Sequence, residues 1–263
     1  MRSPVSILEI ENITKSYPGR QQVLRGVSLR VDEGSLSGFI GLNGAGKTTT
    51  IRIIAGLLTA DSGSVMVFGK KIQHSDPEYK RCLGFVLDEP LYFDWMEPGE
   101  YLRFVGLMYG LSPREAERRS SELLEFFDLA GKKGDLIRTF STGMKKKISL
   151  AAAVIHKPRM LILDEPFEGI DVLAARTIKE ALMMMVGRGM TVMITSHVLA
   201  TIEKLCSHIA VIHQGRVILE GKTADVKRHA RDRAQRSTGE QTLEELFIDL
   251  VSPRMGKKPL SYF

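Results

Sequence analysis

The sequence predicts an α/β fold in which a mostly parallel sheet is preceded by antiparallel strands and interrupted by a helical insert. Short apolar runs alternate with helical patterns through the second half of the chain, which is typical of a parallel sheet with helices between its strands. Apolar and polar residues alternate near the amino terminus, and this pattern favours antiparallel strands. From Pro98 to about Val154 the spacing of apolar residues is helical instead.

The first predicted elements are two strands on either side of a Pro-Gly turn. Apolar and polar residues alternate over residues 7–15 and again over residues 23–31. Residues 36–41 form a short apolar strand that runs into a Gly-rich loop, and residues 47–58 have the spacing of a helix with one apolar face. The order of elements in this segment is therefore strand, loop, helix.

Two further strands are predicted at residues 64–70 and 82–87, and a helical insert follows at about residues 90–154. Within this insert, Ser112 and Pro113 supply an N-cap and a first-turn proline for one helix. Such signals mark where a helix begins, because the capping side chain accepts a hydrogen bond from a backbone N–H that has no partner inside the helix.

Strand patterns return at residues 160–163, 191–194 and 209–212, with helical patterns between them. The segment at residues 222–236 is basic and helical in character, but acidic residues are interspersed, which is more typical of a solvated helix than of a lipid-binding surface. An apolar stripe at residues 243–250 is more typical of core packing than of a partner site.

Composition limits the classes of protein to which this chain can belong. Its 263 residues are 43% hydrophobic and 26% charged, a balance typical of a folded domain. No stretch approaches the ~20 apolar residues of a membrane-spanning helix, and no secretory signal is evident, so a cytosolic location is expected. Cys82 and Cys206 are too few for a disulfide framework or a zinc site. The net charge of +6 is too small to indicate a partner.

A phosphate-binding loop is predicted between the third strand and the following helix. Residues 41–48 read Gly-Leu-Asn-Gly-Ala-Gly-Lys-Thr, in which glycines let backbone N–H groups face phosphate oxygens. Lys47 adds a mobile positive charge, and Thr48 offers a hydroxyl group to Mg²⁺. The predicted nucleotide-binding residues of this segment are Gly41, Leu42, Asn43, Gly44, Ala45, Gly46, Lys47, Thr48 and Thr49.

Two acids follow the apolar strand at residues 160–163. In a parallel sheet this strand end lies at the edge where ligands bind. Asp164 is interpreted as an Mg²⁺ ligand, and Glu165 as the group that orients or deprotonates an attacking water molecule. Together with the phosphate loop, the two acids favour a hydrolase over a carrier.

The run Phe-Ser-Thr-Gly-Met-Lys-Lys-Lys at residues 140–147 precedes an Ala-rich helix and resembles the signature sequence of ATP-binding cassette (ABC) proteins. The resemblance covers residues 7–221 and implies a RecA-like P-loop core with an amino-terminal antiparallel β subdomain and an inserted α-helical subdomain. It implies an ABC ATPase domain at residues 1–221, with the insert at about residues 90–154. A basic, helical extension is then expected at residues 222–263.

The same resemblance implies roles for residues outside the phosphate loop. Tyr17 matches the aromatic residue that stacks on adenine, and His197 matches the histidine that contacts the γ-phosphate. Asp171 lies in the segment that crosses between subunits. Ser141 and Gly143 are expected to contact ATP that is bound to a second subunit. ATP and Mg²⁺ are the ligands that the resemblance implies.

One position departs from the family pattern. A glutamine that touches the metal and the water commonly follows the strand that is predicted here at residues 82–87, but this chain has Asp88 and then Glu89. Either acid could replace the glutamine. A carboxylate can still bind Mg²⁺, so retained activity is expected, with Asp88 as a third candidate metal ligand beside Thr48 and Asp164.

The resemblance further implies a homodimer or heterodimer of ATP-binding subunits at the cytoplasmic face of a membrane, beneath a separately encoded permease. The acid at position 88, the Ser-Thr-Gly-Met signature and the Leu-Glu-Glu-Leu-Phe ending together resemble the exporter branch that moves drugs, lipids or ions. Two alternatives stay open: an ABC-type ATPase that acts outside transport, and a regulatory nucleotide-binding module. Related cassettes that act on nucleic acid usually carry coiled coils, zinc insertions or two cassettes, so no nucleic-acid partner is expected.

Overall fold

The computed structural model describes residues 6–19, 21–73, 78–88, 92–226, 228 and 247. The described strands are β1 (Ser6–Lys15), β2 (Leu24–Asp32), β3 (Leu36–Ile40), β4 (Ser62–Val67), β5 (Lys70–Lys71), β6 (Leu83–Val86), β7 (Met160–Leu163), β8 (Thr191–Ser196), β9 (His208–His213) and β10 (Arg216–Lys222). The described helices are α1 (Lys47–Ile54), α2 (Glu78–Arg81), α3 (Pro98–Met108), α4 (Pro113–Phe126), α5 (Thr142–Val154), α6 (Val172–Gly187) and α7 (Leu199–Leu205).

A six-stranded sheet forms the centre of the fold, in the order β10-β9-β3-β8-β7-β6. Its strands are parallel except for β10, which pairs antiparallel with β9 at one edge. The predicted mostly parallel sheet is therefore confirmed. Strand β10 was not predicted, because it is an edge strand whose side chains are at most half-buried and its apolar run is only three residues long, Val217 to Leu219.

The amino-terminal strands form a separate antiparallel sheet in the order β2-β1-β4-β5, as predicted. The prediction of one strand over residues 64–70 is wrong, because Phe68 and Gly69 adopt left-handed φ angles of 52° and 73° and turn the chain between β4 and β5. The predicted helix at residues 47–58 is also too long. It ends at Ile54, and Gly56 follows with a left-handed φ of 68°.

Two apolar cores lie on opposite faces of the six-stranded sheet. Side chains alternate along β7, so that Leu161 and Leu163 join the core under the helices α3 to α7, whereas Met160 and Ile162 join the core shared with the antiparallel sheet and α1. A strand that is buried on both faces is apolar throughout, which explains why β7 was readily predicted. The strands of this sheet, and the residues that follow their carboxyl ends, are therefore held between two packed apolar layers.

Helices α3, α4 and α5 lie between β6 and β7, as expected for the inserted helical subdomain. Helix α4 begins as predicted, with Pro113 in its first turn and the Ser112 hydroxyl accepting a hydrogen bond from the Glu115 N–H at 3.3 Å. The predicted domain boundaries stay predictions. Among the described residues, no helix is long and apolar enough to cross a bilayer. Glu89, the apolar stripe at residues 243–250 apart from Phe247, and most of the basic segment lie outside the described residues.

Candidate functional site

The predicted site residues follow the carboxyl ends of neighbouring parallel strands. The phosphate loop follows β3, Asp164 and Glu165 follow β7, His197 follows β8, and Asp88 comes shortly after β6. Strand order places β3, β8, β7 and β6 side by side. These residues therefore meet at one edge of the sheet, where ligands bind in folds of this class.

A cleft of about 780 Å³ lies at this edge. It brings together Tyr17, the phosphate loop, Asp88 and Glu165, which are far apart in the sequence. Its lining residues are Tyr17, Pro18, Val23, Asn43, Gly44, Gly46, Lys47, Thr48, Thr49, Arg52, Asp88, Glu165 and Glu168. The cleft is large enough for a nucleotide, since small-molecule sites typically measure about 300–1,000 Å³.

The phosphate loop needs glycine at three of its positions. Gly44 and Gly46 have left-handed φ angles of 80° and 117°. A Cβ atom on Gly46 would also lie 2.5 Å from Cδ2 of Leu24. Gly41 is equally restricted, because a Cβ atom there would lie 2.5 Å from the carbonyl O of Ile212. This packing fixes the loop at the N-terminus of α1, whose free N–H groups favour anions.

The remaining loop residues differ in exposure. Leu42 and Asn43 are exposed, Ala45 is buried, and Thr48 and Thr49 are half-buried in the first turn of α1. Thr48 and Thr49 both line the cleft, as predicted for residues that contact phosphate or a metal ion.

Lys47 is buried at the base of the cleft, with 5% of its surface exposed. Its Nζ atom donates hydrogen bonds to the carbonyl oxygens of Gly41 at 2.7 Å and Leu42 at 3.4 Å. The same atom lies 3.2 Å from Oε1 of Glu165. The ammonium group thus joins the phosphate loop to the acid at the end of β7.

Asp164 is fully buried, and its two carboxylate oxygens differ in their hydrogen bonding. Its Oδ1 atom accepts a hydrogen bond of 2.5 Å from the Thr195 hydroxyl. Its Oδ2 atom is buried and has no hydrogen-bond partner among the described residues. A buried carboxylate oxygen without a donor is unfavourable unless a cation binds it. The arrangement therefore fits the predicted Mg²⁺ site.

Glu165 has an unusual backbone conformation for a residue other than glycine, with a φ angle of 47°. This conformation costs about 1–3 kcal/mol and persists only where the surrounding contacts enforce it. The Glu165 N–H donates to the Thr195 hydroxyl oxygen at 3.0 Å. Its Oε2 atom accepts a hydrogen bond from the His197 N–H at 3.3 Å and lies 3.1 Å from the Nδ1 atom of that histidine. Glu165 and His197 are therefore in direct contact, as candidate catalytic residues would be.

Eight of the predicted site residues do not line the described part of the cleft: Gly41, Leu42, Ala45, Ser141, Gly143, Asp164, Asp171 and His197. Ser141 is the N-cap of α5 and is exposed. Asp171 is the N-cap of α6, and the hydrogen bond from the Ala174 N–H lowers the pKa of its carboxyl group. A Cβ atom on Gly143 would lie 3.3 Å from Oδ2 of Asp171, so the N-termini of α5 and α6 are neighbours.

Some residues at the site were not predicted. Thr195 bridges the two acids, Lys146 donates a hydrogen bond to the backbone of Glu165, and Arg52 and Glu168 line the cleft. Glu168 is only three residues after Glu165, so its place next to the acids could have been inferred from sequence distance. The roles of Thr195 and Lys146 depend on contacts between distant segments, which no local pattern indicates.

Comparison with known proteins agrees with this geometry. Residues 24–168 match the family model described as ABC transporter. The chain is 40% identical over 220 residues to the linearmycin resistance ATP-binding protein of Bacillus subtilis, a match that covers 84% of this chain and 70% of that protein. It is 38% identical over 221 residues to the Nod factor export ATP-binding protein I of Cupriavidus metallidurans, covering 82% of this chain and 71% of that protein.

A solved structure of an ATP-binding subunit of an ABC transporter superposes with a TM-score of 0.82 at 33% identity. The match covers 93% of this chain and 99% of the solved one. The α/β cassette fold expected from the motifs is thereby confirmed. The chain belongs to the ABC transporter family, as one of the subunits that bind and hydrolyse ATP to power transport.

Proposed function

We propose that this chain binds Mg-ATP in the cleft after β3, that Glu165 activates the attacking water molecule, and that hydrolysis powers export through a separate permease. The observation that carries the proposal is the contact between the phosphate loop and the acid after β7. Lys47 Nζ lies 3.2 Å from Glu165 Oε1, and both residues line the same cleft. A phosphate group held by the loop would therefore lie beside the acid.

The loop and its flanking residues would bind the nucleotide. The backbone N–H groups of residues 41–49 and the Lys47 ammonium would contact phosphate oxygens, since the start of α1 faces the cleft. Tyr17 is half-buried and lines the same cleft, which supports its role as the residue that stacks on adenine.

Asp164, Thr48 and Asp88 would hold Mg²⁺. The free Oδ2 atom of Asp164 supports this role, and Thr48 and Asp88 supply further oxygen ligands from the cleft wall. A bound Mg²⁺ ion would neutralise charge on the phosphate oxygens. Asp88 is exposed at the cleft. Its short, acidic side chain can therefore take the place of the glutamine that is common in the family.

Glu165 would orient or deprotonate water, and His197 would contact the γ-phosphate. The His197 N–H and ring nitrogen hold one carboxylate oxygen of Glu165, while Lys47 lies against the other. A carboxylate held on both oxygens is fixed in direction, which a water-activating group requires.

A second cassette would complete the site. Ser141, the N-cap of α5, is exposed and does not line the cleft of its own subunit. The free backbone N–H groups at the start of α5 are therefore available to ATP that is bound to another subunit. Gly143 and Asp171 lie next to this N-terminus. We propose that these residues close over the nucleotide of a second copy of this chain or of a related subunit.

The transport role rests on the relatives. The two relatives described above are named for linearmycin resistance and for Nod factor export, which favours an export role. The subunit would then lie at the cytoplasmic face of the membrane, bound to the permease.

Purification from solubilised membranes tests this proposal. We expect the chain to co-purify with a multi-spanning membrane protein and the complex to hydrolyse ATP only with Mg²⁺, while Asp164→Asn binds the permease but loses hydrolysis. Recovery of the chain only with ribosomes or chromosomes would contradict the transport role. Full hydrolysis by Asp164→Asn would contradict the metal assignment.

A further inference from the structure

Lys146 is a buried lysine whose ammonium group reaches the backbone of Glu165. It lies in the second turn of α5, and 7% of its surface is exposed. Its Nζ atom donates a hydrogen bond of 3.1 Å to the carbonyl oxygen of Glu165. Among the residues that the structure describes, Lys146 forms no ion pair. Because burial of a cation without a counter-ion is unfavourable, packing alone does not account for a lysine at this position.

The backbone of Glu165 is held from three directions. Its N–H donates to Thr195 on β8, and its carbonyl oxygen accepts from the Glu168 N–H at 3.3 Å as well as from Lys146. The Thr195 contact comes from the neighbouring strand, and the Glu168 contact comes from the same loop. Lys146 supplies the contact from α5. These hydrogen bonds together maintain the left-handed φ angle of Glu165, which directs its side chain towards Lys47 and His197.

We infer that Lys146 is a positioning residue for hydrolysis, which acts by fixing the backbone of Glu165 and linking it to α5. The inference rests on the proposed role of Glu165 as the water-activating acid. Lys146 does not line the cleft. Its ammonium group contacts the backbone of Glu165, and no hydrogen bond in the described part of the chain joins it to the phosphate loop, so it affects the direction of the Glu165 carboxylate and not the binding of phosphate. Since Ser141 caps the same helix, a shift of α5 on closure of a dimer is transmitted to Glu165 through this hydrogen bond.

The test compares substitutions at two adjacent lysines. Lys146→Met keeps the length and the apolar stem but removes the donor, and we expect kcat to fall on the order of tenfold, because a small misorientation of a reacting group is costly. The KM for ATP and the affinity for a fluorescent ATP analogue should change by less than about twofold. Lys146→Arg keeps a donor and should restore most of the lost turnover. Should Lys146→Met fail to fold, Lys146→Leu, which also lacks a donor, carries the same expectation.

Lys145→Met is the matched control, because it removes the same charge one residue earlier. The Nζ atom of Lys145 lies 5.6 Å from the ring centre of Tyr92, not against Glu165. We expect this control to keep the kcat of the unmodified protein. Equal kcat values for Lys145→Met and Lys146→Met would overturn the inference, as would a loss in Lys146→Met that appears only in KM.

A double variant shows whether Lys146 acts through Glu165. If it does, Lys146→Met combined with Glu165→Gln hydrolyses ATP no more slowly than Glu165→Gln alone, because the group that it positions is already disabled. A further tenfold loss in the double variant would overturn the inference while leaving the role of Glu165 intact. Undiminished turnover by Glu165→Gln alone would instead contradict the proposed function, and the inference with it.

Discussion

The Nζ atom of Lys47 lies 3.2 Å from Oε1 of Glu165, and each side chain is less than one-tenth exposed. This ion pair crosses from the first turn of α1 to the end of β7, two segments that are more than a hundred residues apart in the sequence. Because Lys47 also donates hydrogen bonds to Gly41 and Leu42, its ammonium already lies within the phosphate loop. ATP binding would exchange these partners for phosphate oxygens.

Lys47→Ala should weaken nucleotide binding itself. The substitution removes a charged hydrogen-bond donor from the base of the cleft, and we expect the Kd of a fluorescent ATP analogue to rise at least about tenfold. Lys70→Ala, at an exposed position in β5, should leave the Kd unchanged. Equal affinities for the two variants would contradict the phosphate-loop assignment.

Thr195→Val should reduce both stability and turnover. The hydroxyl group donates to Asp164 Oδ1 and accepts from the Glu165 N–H, so a valine leaves both buried groups without their partner. We expect a loss of about 1–3 kcal/mol in the free energy of unfolding, measured by urea denaturation. Thr177→Val, which removes an exposed hydroxyl on α6, should change stability little. A Thr195→Val protein with unchanged stability and kcat would show that this bridge is unimportant.

Gly143→Ala should separate α5 from α6. The added Cβ atom would lie 2.8 Å from Cβ of Ala174, and we expect overpacking to cost about 1–3 kcal/mol. Gly187→Ala is the matched control, since a Cβ atom there meets nothing within 4 Å and the helix propensity improves. A thermal melt distinguishes them: the Tm should fall for Gly143→Ala alone. Equal Tm values for the two variants would contradict the close packing of α5 against α6 at Gly143.

Asp171 should stabilise the protein in a pH-dependent way. The hydrogen bond from the Ala174 N–H lowers the pKa of its carboxyl group below the ordinary value of 3.8. Stabilisation by a lowered pKa is complete above the unfolded value and is lost as the pH falls through the folded value. The Tm of the unmodified protein should therefore exceed that of Asp171→Ala above about pH 4, and the difference should shrink at lower pH. A difference that does not depend on pH would contradict this account.

The sequence predicts those parts of the fold and site that depend on local patterns. Strand β7 is recognisable because it is apolar on both faces, and the phosphate loop because its glycines and Lys47 occur together in eight residues. Strand β10 escapes prediction because its apolar run is only three residues long and its side chains are at most half-buried. The turn at Phe68 escapes because a left-handed φ angle is unusual for phenylalanine.

Long-range contacts could not be predicted in the same way. Lys146 and Glu165 are nineteen residues apart, and Thr195 is thirty residues beyond Glu165. Only the packing of α5 and β8 against the end of β7 makes them neighbours. The family resemblance supplied Tyr17 and His197 by position, whereas the bonds that hold Glu165 in place emerge from the structure alone.

The central claim is that ATP is bound between two cassettes and hydrolysed through Glu165. The most direct measurement is the molar mass of purified Glu165→Gln with Mg-ATP, by size-exclusion chromatography with light scattering, together with hydrogen exchange of the Ser141 segment. We expect loss of turnover, a stable dimer with ATP but not with ADP, and protection of the backbone around Ser141. A protein that remains monomeric with ATP and shows no protection there would contradict the account.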